Sequence, residues 1–409
     1  MIFKNCCYRI YQCVLLNIMH MVKYNNKAVS KKGAVYYIPA LLRKQGITGN
    51  VLVITGPHIV KTALFQRITS VFKEKGISCV IFSGTGAETE TGGIEKARKL
   101  YIAKKCNAIV AIGGGSVIDC AKAAAAGVAR PGKRITRLAG YQKVRRKIPV
   151  IVAVPTTAGT GAEVTACAVI KDTVTNNKKI IADTSIVPGF AVLDPVMTGS
   201  LPSYMAAYSG MDALTHATEA YINKYSSKSA KKDAETAARL ITANITKVYY
   251  GTGGSIPRKK MLEASYLAGR AFVRNAVGYV HAIAHAIGGS YNIAHGMAVA
   301  VVLPYVLAWY GNCINKKLAR LSDICGIAGK DLPDKKKAEA YINYIKILGN
   351  QFGIYRNFYK ILKNKNIDKK DIKNMAKCAI IESNPHYPVP KIMSLKECEY
   401  LIYRICNAY

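Results

Sequence analysis

Only seven histidines occur in this chain of 409 residues, and four of them fall between positions 216 and 295. Asp212 and His216 stand four apart in a stretch that is helical in composition, Gly210 to His216. Four residues turn a helix through roughly 400°, so both side chains share one face, one turn apart. His281 and His285 repeat that spacing. Gly288 and Gly289 are then expected to interrupt the helix, and His295 follows just before Gly296, where a chain reversal returns it to the same point. A carboxylate converging with several imidazoles suits iron(II) or zinc better than magnesium or calcium. Any one of these histidines reads equally well as a buried core residue. Two such pairs plus a fifth donor, in a histidine-poor chain, favour a metal centre. Spacing leaves open which of His281 and His285 touches the ion. His20, His58 and His386 are isolated and read as structural or exposed.

A second chemistry concerns phosphate. The apolar run Ala108 to Ile112 enters Gly113-Gly114-Gly115-Ser116, followed by an alanine-rich helix from Val117 to Ala126. Glycine admits an anion close to the backbone, and a helix N-terminus offers free N–H groups. Three glycines alone are equally consistent with a tight turn. The run ending at Val154 adds a second loop, Pro155 to Glu163, with three threonines (Thr156, Thr157, Thr160) and two glycines. Hydroxyls and exposed amides suit a pyrophosphate and ribose. Open α/β sheets bind ligands at the carboxyl ends of their strands, where both loops would lie.

The elements that must position these groups divide the chain in two. From 50 to 200, short apolar runs at Val51–Ile54, Cys79–Phe82, Ala108–Ile112 and Val150–Val154 are spaced by helical stretches. That pattern predicts a parallel sheet with helices on both faces. After Leu201-Pro202 long alanine-rich segments dominate, at Asp233 to Ala243, Met261 to Phe272 and Gly296 to Trp309. The expectation is an α/β dinucleotide-binding domain over 1–201, with an N-terminal extension of about 30 residues, and a helical metal-binding domain over 202–409. No internal repeat stands out.

Composition narrows the function classes. Half the residues are hydrophobic, as in an ordinary globular core. The twelve cysteines are scattered, which fits a reducing cytoplasm better than a disulfide framework. Apolar runs fall short of the roughly 20 residues that span a bilayer. Met1 to Met21 lacks the long apolar stretch and cleavage site of a signal peptide and reads as a helix packed on the body, with a surface-lying amphipathic helix as the alternative. Fifty-nine basic against 23 acidic residues give a formal charge of +36. The basic residues run through the whole length without a recognisable nucleic-acid motif, so they read as solvated surface and predict no specific nucleic-acid partner.

Four ordered blocks, Gly113 to Lys122, Pro155 to Thr165, Gly210 to Ile222 and Val280 to Gly296, together resemble the iron-containing alcohol dehydrogenase family. Weaker similarity extends over Gly33 to Gly46 and Asn384-Pro385; the first 30 or so residues lie outside it. The resemblance implies an N-terminal dinucleotide-binding α/β domain, an all-α C-terminal domain in the dehydroquinate synthase-like fold, and an active site in the cleft between them. The family's ligand pattern falls on Asp212, His216, His281 and His295, and His285 matches a histidine near the nicotinamide with a proton-transfer role. Its cofactor pattern falls on Gly114, Gly115, Ser116, Thr156, Thr157 and Thr160, and more loosely on Val169 and Lys178. A homodimer is the family-level expectation.

Three departures accompany the resemblance. Gly56 occupies the place of an aspartate that holds the adenosine ribose, so NADP joins NAD as a candidate. Ala87-Glu88-Thr89-Glu90 replaces a Pro-Asn-Pro-Thr segment, and two acids there are expected to disfavour a dinucleotide's phosphates. His386 stands where arginine is common.

The reaction expected is hydride transfer between an alcohol or aldehyde and NAD(P), with Fe2+ or Zn2+ activating the substrate oxygen. If His285 relays the hydroxyl proton, its neutral form is required, and alcohol oxidation should rise with pH through the histidine range. The rival enzyme readings are a glycerol-phosphate dehydrogenase or a dehydroquinate synthase-like lyase. A nonenzymatic anion or nucleic-acid binder on a degenerate scaffold is the rival from another class, and a complete donor set argues against it.

Overall fold

The computed structural model describes residues 2–21, 25–86, 88–175, 177–365 and 367–408. Its strands are β1 (Lys27–Ser30), β2 (Gly49–Thr55), β3 (Ile77–Phe82), β4 (Ala108–Gly113), β5 (Gly140–Tyr141), β6 (Val150–Pro155), β7 (Cys167–Lys171), β8 (Lys178–Ala182) and β9 (Phe190–Leu193). Six of them form a parallel sheet in the order β1-β9-β6-β4-β2-β3. Alternate residues supply its two faces. Val51, Val53, Val110, Ile112, Val152 and Val154 pack with Phe65, Ile68 and Phe72 of helix Ala63–Glu74. Leu52, Ile54, Ile109, Ala111, Ile151 and Ala153 pack with Ile94 and Ala97 of helix Thr91–Ala103 and with helix Gly115–Ala129. Burial on both faces is why the central strands read as unbroken apolar runs.

The chain runs outward from β2 to β3, then crosses back to β4 and continues through β6 to β9. Strand order therefore reverses between β2 and β4, the switch point at which open α/β sheets bind ligands. Gly56 follows β2, the glycine run follows β4, and the threonine loop follows β6. Strands β5, β8 and β7 make a second small sheet that carries Val169 and Lys178. The sequence patterns miss β1, β5, β7 and β8 because their faces are partly exposed, and miss the fully buried β9 as well.

Two compact units result: residues 23–201 with Gly254–Tyr266, and residues 1–22 with 202–253 and 267–409. The division at Leu201 falls where the composition changes, but two segments do not follow a single cut. Helix Ile2–Met21 groups with the helical unit, where Gln12 and Leu16 are buried. The first half of helix Ser255–Asn275 groups with the α/β unit. There Glu263 accepts from Ser30, Tyr266 donates to Asn26, and Arg258 donates to the carbonyl of Thr198.

In the helical unit Gly288 and Gly289 do not break their helix, which runs from Tyr279 to Tyr291. The reversal comes at Asn292, in a left-handed conformation that asparagine tolerates. The apolar content of the next segment also exceeds the expectation from sequence. His295–Cys325 is long and apolar enough to cross a membrane by length and composition, yet 67% of the relevant window is buried inside the fold. It is read here as a core element. Buried Met297 to Leu303 leave His295 at its N-terminus.

In the threonine loop Glu163 is fully buried, and its Oε1 has no hydrogen-bond partner among the described residues. Burial raises the carboxyl to about 7, against an ordinary 4.5, with its own backbone and Lys122 offsetting only part of the effect. The folded state holds the proton that the unfolded chain releases. Stability therefore falls as pH rises from about 4.5 to about 7, by an amount on the order of 3 kcal/mol, and is flat beyond. Glu163→Gln is expected to flatten this slope, seen as a Tm gain at pH 8 that is absent at pH 4.5; equal gains at both would contradict it.

Candidate metal centre

Helix Ser203–Ile222 carries Asp212 and His216 on one buried face, helix Tyr279–Tyr291 carries His281, and His295 opens helix His295–Tyr310. Lys317 closes the carboxyl end of the first of these helices by donating to the carbonyls of Ile222 (2.6 Å) and Asn223 (2.9 Å). Gly296 permits the close approach of the third, because a Cβ there would lie 2.4 Å from the carbonyl oxygen of Tyr208.

The four side chains converge. Asp212 Oδ1 lies 3.3 Å from His295 Nε2, 3.6 Å from His281 Nε2 and 3.7 Å from His216 Nδ1. Ligands held at about 2.1 Å around a tetrahedral ion stand about 3.4 Å apart, so this spacing matches a shared cation. Asp212, His216 and His281 are buried and offer ligand atoms within 4.8 Å of one another. Asp212 Oδ1 and His281 Nε2 are buried without a hydrogen-bond partner among the described residues. A cation satisfies both atoms at once, so the donor set fits a divalent metal. The ring of His216 is held between His281 (4.5 Å between centroids) and Phe272 (4.3 Å).

The electrostatics agree. Burial opposes ionisation of Asp212, but His216, His295 and His281 hold its carboxyl well below the usual range. Burial likewise opposes charge on His281, yet Asp212 and Glu219 raise its imidazole to about 9. A dication takes the place of that proton, so metal uptake releases it.

Glu219 is the residue that sequence reasoning missed. It is fully buried, its Oε2 lies 2.5 Å from His281 Nδ1, and its Oε1 accepts the N–H of Val280 at 2.8 Å. An accepting carboxylate keeps the proton on Nδ1 and turns Nε2 toward Asp212. Gly278 leaves the space, since a Cβ there would meet Glu219 Oε1 at 2.6 Å. Glu219 lies one turn beyond His216 on the same helix, but its partner is 62 residues away, which no local spacing displays.

Of the two histidines that spacing left open, His281 belongs to the buried donor group with Asp212 and His216, and His285 does not. Its Nδ1 pairs with Glu382 Oε1 at 2.8 Å, and its ring stacks on that of His295 with centroids 5.1 Å apart. Of the remaining histidines, His20 meets Asn275 and His386 meets Tyr11.

The cofactor-loop residues lie in the α/β unit. Gly114 is the N-cap of helix Gly115–Ala129, so the helix starts two residues earlier than composition indicates, and the amides of Gly115 and Ser116 fall in its first turn. The two loops interlock: Thr156 N–H donates to Gly113, Thr157 lies over Gly114, and Thr160 over Gly115. Ser116 accepts from Thr89 through its carbonyl. Gly56 lies open, with nothing within 4 Å of where a Cβ would be. Val169 is partly exposed, with its N–H bound to Asp119. Lys178 pairs with Glu88 at 3.1 Å, and Lys171 pairs with the same carboxylate at 2.5 Å. Of the two acids expected to disfavour a dinucleotide's phosphates, Glu88 is thus paired with two lysines and Glu90 is exposed; Ala87 lies outside the described residues.

Glu219→Gln keeps the size but removes the charge and one acceptor. It is expected to weaken metal binding by about 10- to 100-fold in competition with a chelator, while the fold is retained. Unchanged affinity would remove Glu219 from the centre.

Comparison with known proteins agrees with this geometry. Residues 25–195 match the model of the iron-containing alcohol dehydrogenases, and 206–405 match that of the C-terminal domain of the same family. The chain is 32% identical over 329 residues to 1,3-propanediol dehydrogenase of Citrobacter freundii, covering 80% of this chain and 84% of that one. It is 30% identical over 362 residues to the NAD-dependent methanol dehydrogenase of Bacillus methanolicus, covering 88% and 93%. The crystal structure of a 1,3-propanediol oxidoreductase superposes with a TM-score of 0.87 at 29% identity, covering 94% of this chain and all of that one. With both halves matched and the donor set in place, the chain belongs to the iron-containing alcohol dehydrogenase family.

Proposed function

We propose that this protein oxidises primary alcohols and reduces the corresponding aldehydes with NAD or NADP, using iron(II) or zinc held by Asp212, His216, His281 and His295. The convergence of one buried carboxylate with three imidazoles carries this reading. Family membership supplies the reaction class, a metal-dependent oxidoreductase acting on CH–OH. The relatives named for 1,3-propanediol and methanol act, by those names, on primary alcohols.

A divalent ion held by Asp212, His216, His281 and His295 would supply Lewis acidity toward the substrate oxygen, and a nicotinamide held at the glycine and threonine loops would supply hydride chemistry. The chain's own residues do the rest. Glu219 holds His281 in the tautomer that presents Nε2. Glu382 holds His285 through Nδ1, leaving Nε2 to take the hydroxyl proton during oxidation and return it during reduction. Gly114, Gly115 and Ser116 offer amides to the pyrophosphate, with the hydroxyls of Thr156, Thr157 and Thr160 beside them. The place of Gly56 lacks a carboxylate to repel a 2′-phosphate, which supports use of NADP as well as NAD. Lys178 serves the cofactor site while anchored to Glu88.

The twelve cysteines are all free, which supports a reducing, cytoplasmic setting. A homodimer follows from family analogy, and light scattering reads it directly.

The test combines metal analysis with nicotinamide absorbance across simple alcohols, aldehydes and glycerol phosphate, with both coenzymes. The expected result is stoichiometric metal and turnover of an unphosphorylated alcohol. Asp212→Ala should lose the metal and about a hundredfold or more in turnover, since a Lewis acid contributes several kcal/mol. Turnover by a metal-free wild type, or a variant that keeps both metal and activity, contradicts the reading.

A further inference from the structure

Helix Ile2–Met21 lies outside the matched family, whose correspondence begins at residue 25. It nevertheless donates three hydrogen bonds to carbonyls of one short segment of the helical unit. Between helices Lys369–Ser383 and Leu395–Cys406 the chain from 384 to 394 has no helix or strand, so its carbonyls need partners from elsewhere. Four successive carbonyls find them. Tyr387 accepts from Gln12 Nε2 at 2.8 Å and from the N–H of Val389 at 2.8 Å, Pro388 from the N–H of Lys224 at 2.8 Å, Val389 from Arg9 Nη1 at 2.5 Å and Pro390 from Arg9 Nη2 at 3.0 Å. Three of these five donors come from the N-terminal helix. Arg9 also donates to Gln12 Oε1 at 2.9 Å, which ties the two side chains into one fork. Gln12 is fully buried, a placement that is tolerated only because its amide is bonded on both sides. One residue along, Tyr11 meets His386 at 3.2 Å.

The segment so held carries Tyr387. Its hydroxyl donates to Glu382 Oε1 at 2.9 Å, the same oxygen that receives His285 Nδ1 at 2.8 Å. The Tyr387 hydroxyl fixes the carboxylate, the carboxylate fixes the imidazole ring at its Nδ1 edge, and a face of that ring stacks on His295.

We propose that the N-terminal helix is a brace for the His285 side chain, acting through Arg9 and Gln12 on the 387–390 segment and through Tyr387 and Glu382 on the ring. All four are positioning residues. The kinetic part of this proposal rests on His285 as the proton carrier; the structural part does not.

The experiment uses the full chain with metal bound and compares Arg9→Ala/Gln12→Ala, Tyr387→Phe, His285→Ala and their combinations. Loss of the Arg9 and Gln12 bonds to the segment, or of the Tyr387 bond to Glu382, predicts a fall in kcat of about three- to tenfold for each of the first two, with KM for the alcohol and metal content unchanged. Because they act through one ring, the losses should not multiply, and neither should lower kcat further once His285 is alanine. Exchange of the His285 Nδ1 proton, read by NMR on imidazole-15N-labelled protein, should accelerate in both variants. If His285→Ala alone leaves kcat unchanged, the proton-carrier role fails, and the brace is then judged on proton exchange. Unchanged exchange overturns the brace. So does a kcat loss that persists in full in the His285→Ala background. Tyr387→Phe removes a single hydroxyl and keeps the test available should the double variant fold poorly.

Discussion

A carboxylate buried as deeply as Asp212 is tolerated only where positive charge meets it. Three imidazoles face it, each from a different turn or helix, and each is held by something other than Asp212. Phe272 stacks on His216, Glu219 grips His281, and Gly296 lets the helix of His295 come close. Such an arrangement is costly for a folded chain unless a cation completes it. The surrounding elements of the helical unit serve that requirement. Lys317 closes one helix, Gly278 makes room for a buried acid, and the apolar core of helix His295–Tyr310 leaves a histidine at its exposed end.

The reading proposed for the α/β unit sets a different demand, a polyanion without a fixed countercharge. The groups available for it at the carboxyl ends of β4 and β6, beside the switch point of the sheet, are mainly backbone amides and hydroxyls. Glu88 is paired there with Lys171 and Lys178, and Asp119 with Lys122 and the amide of Val169. The large positive net charge gives the chain a general attraction for anions.

What could be read directly from the sequence follows from how far apart the interacting residues lie. Asp212 with His216, the glycine run and the threonine loop are short-range patterns, and three of the four apolar runs announced the central strands β2, β4 and β6 because both faces of the sheet are covered there, while the fourth announced the edge strand β3. The choice between His281 and His285 could not be made from spacing, since both lie on one helix and only the partners across the unit, Asp212 and Glu382, tell them apart. Glu219 escaped because its bond closes a 62-residue loop, and Glu382 because its bond closes one of 97. Gly288 and Gly289 misled because packing carries a helix past residues of poor propensity. The pairing of Glu88 was not legible because its two lysines lie on strands of the small sheet that no periodicity announced.

X-ray absorption at the metal edge of the loaded protein measures the central arrangement most directly. Three imidazole nitrogens and a carboxylate oxygen at about 2.0–2.2 Å, with the multiple scattering characteristic of histidine, are the predicted first shell. A shell containing sulfur, or one of oxygen alone without imidazole scattering, would contradict the assignment of Asp212, His216, His281 and His295 to one ion.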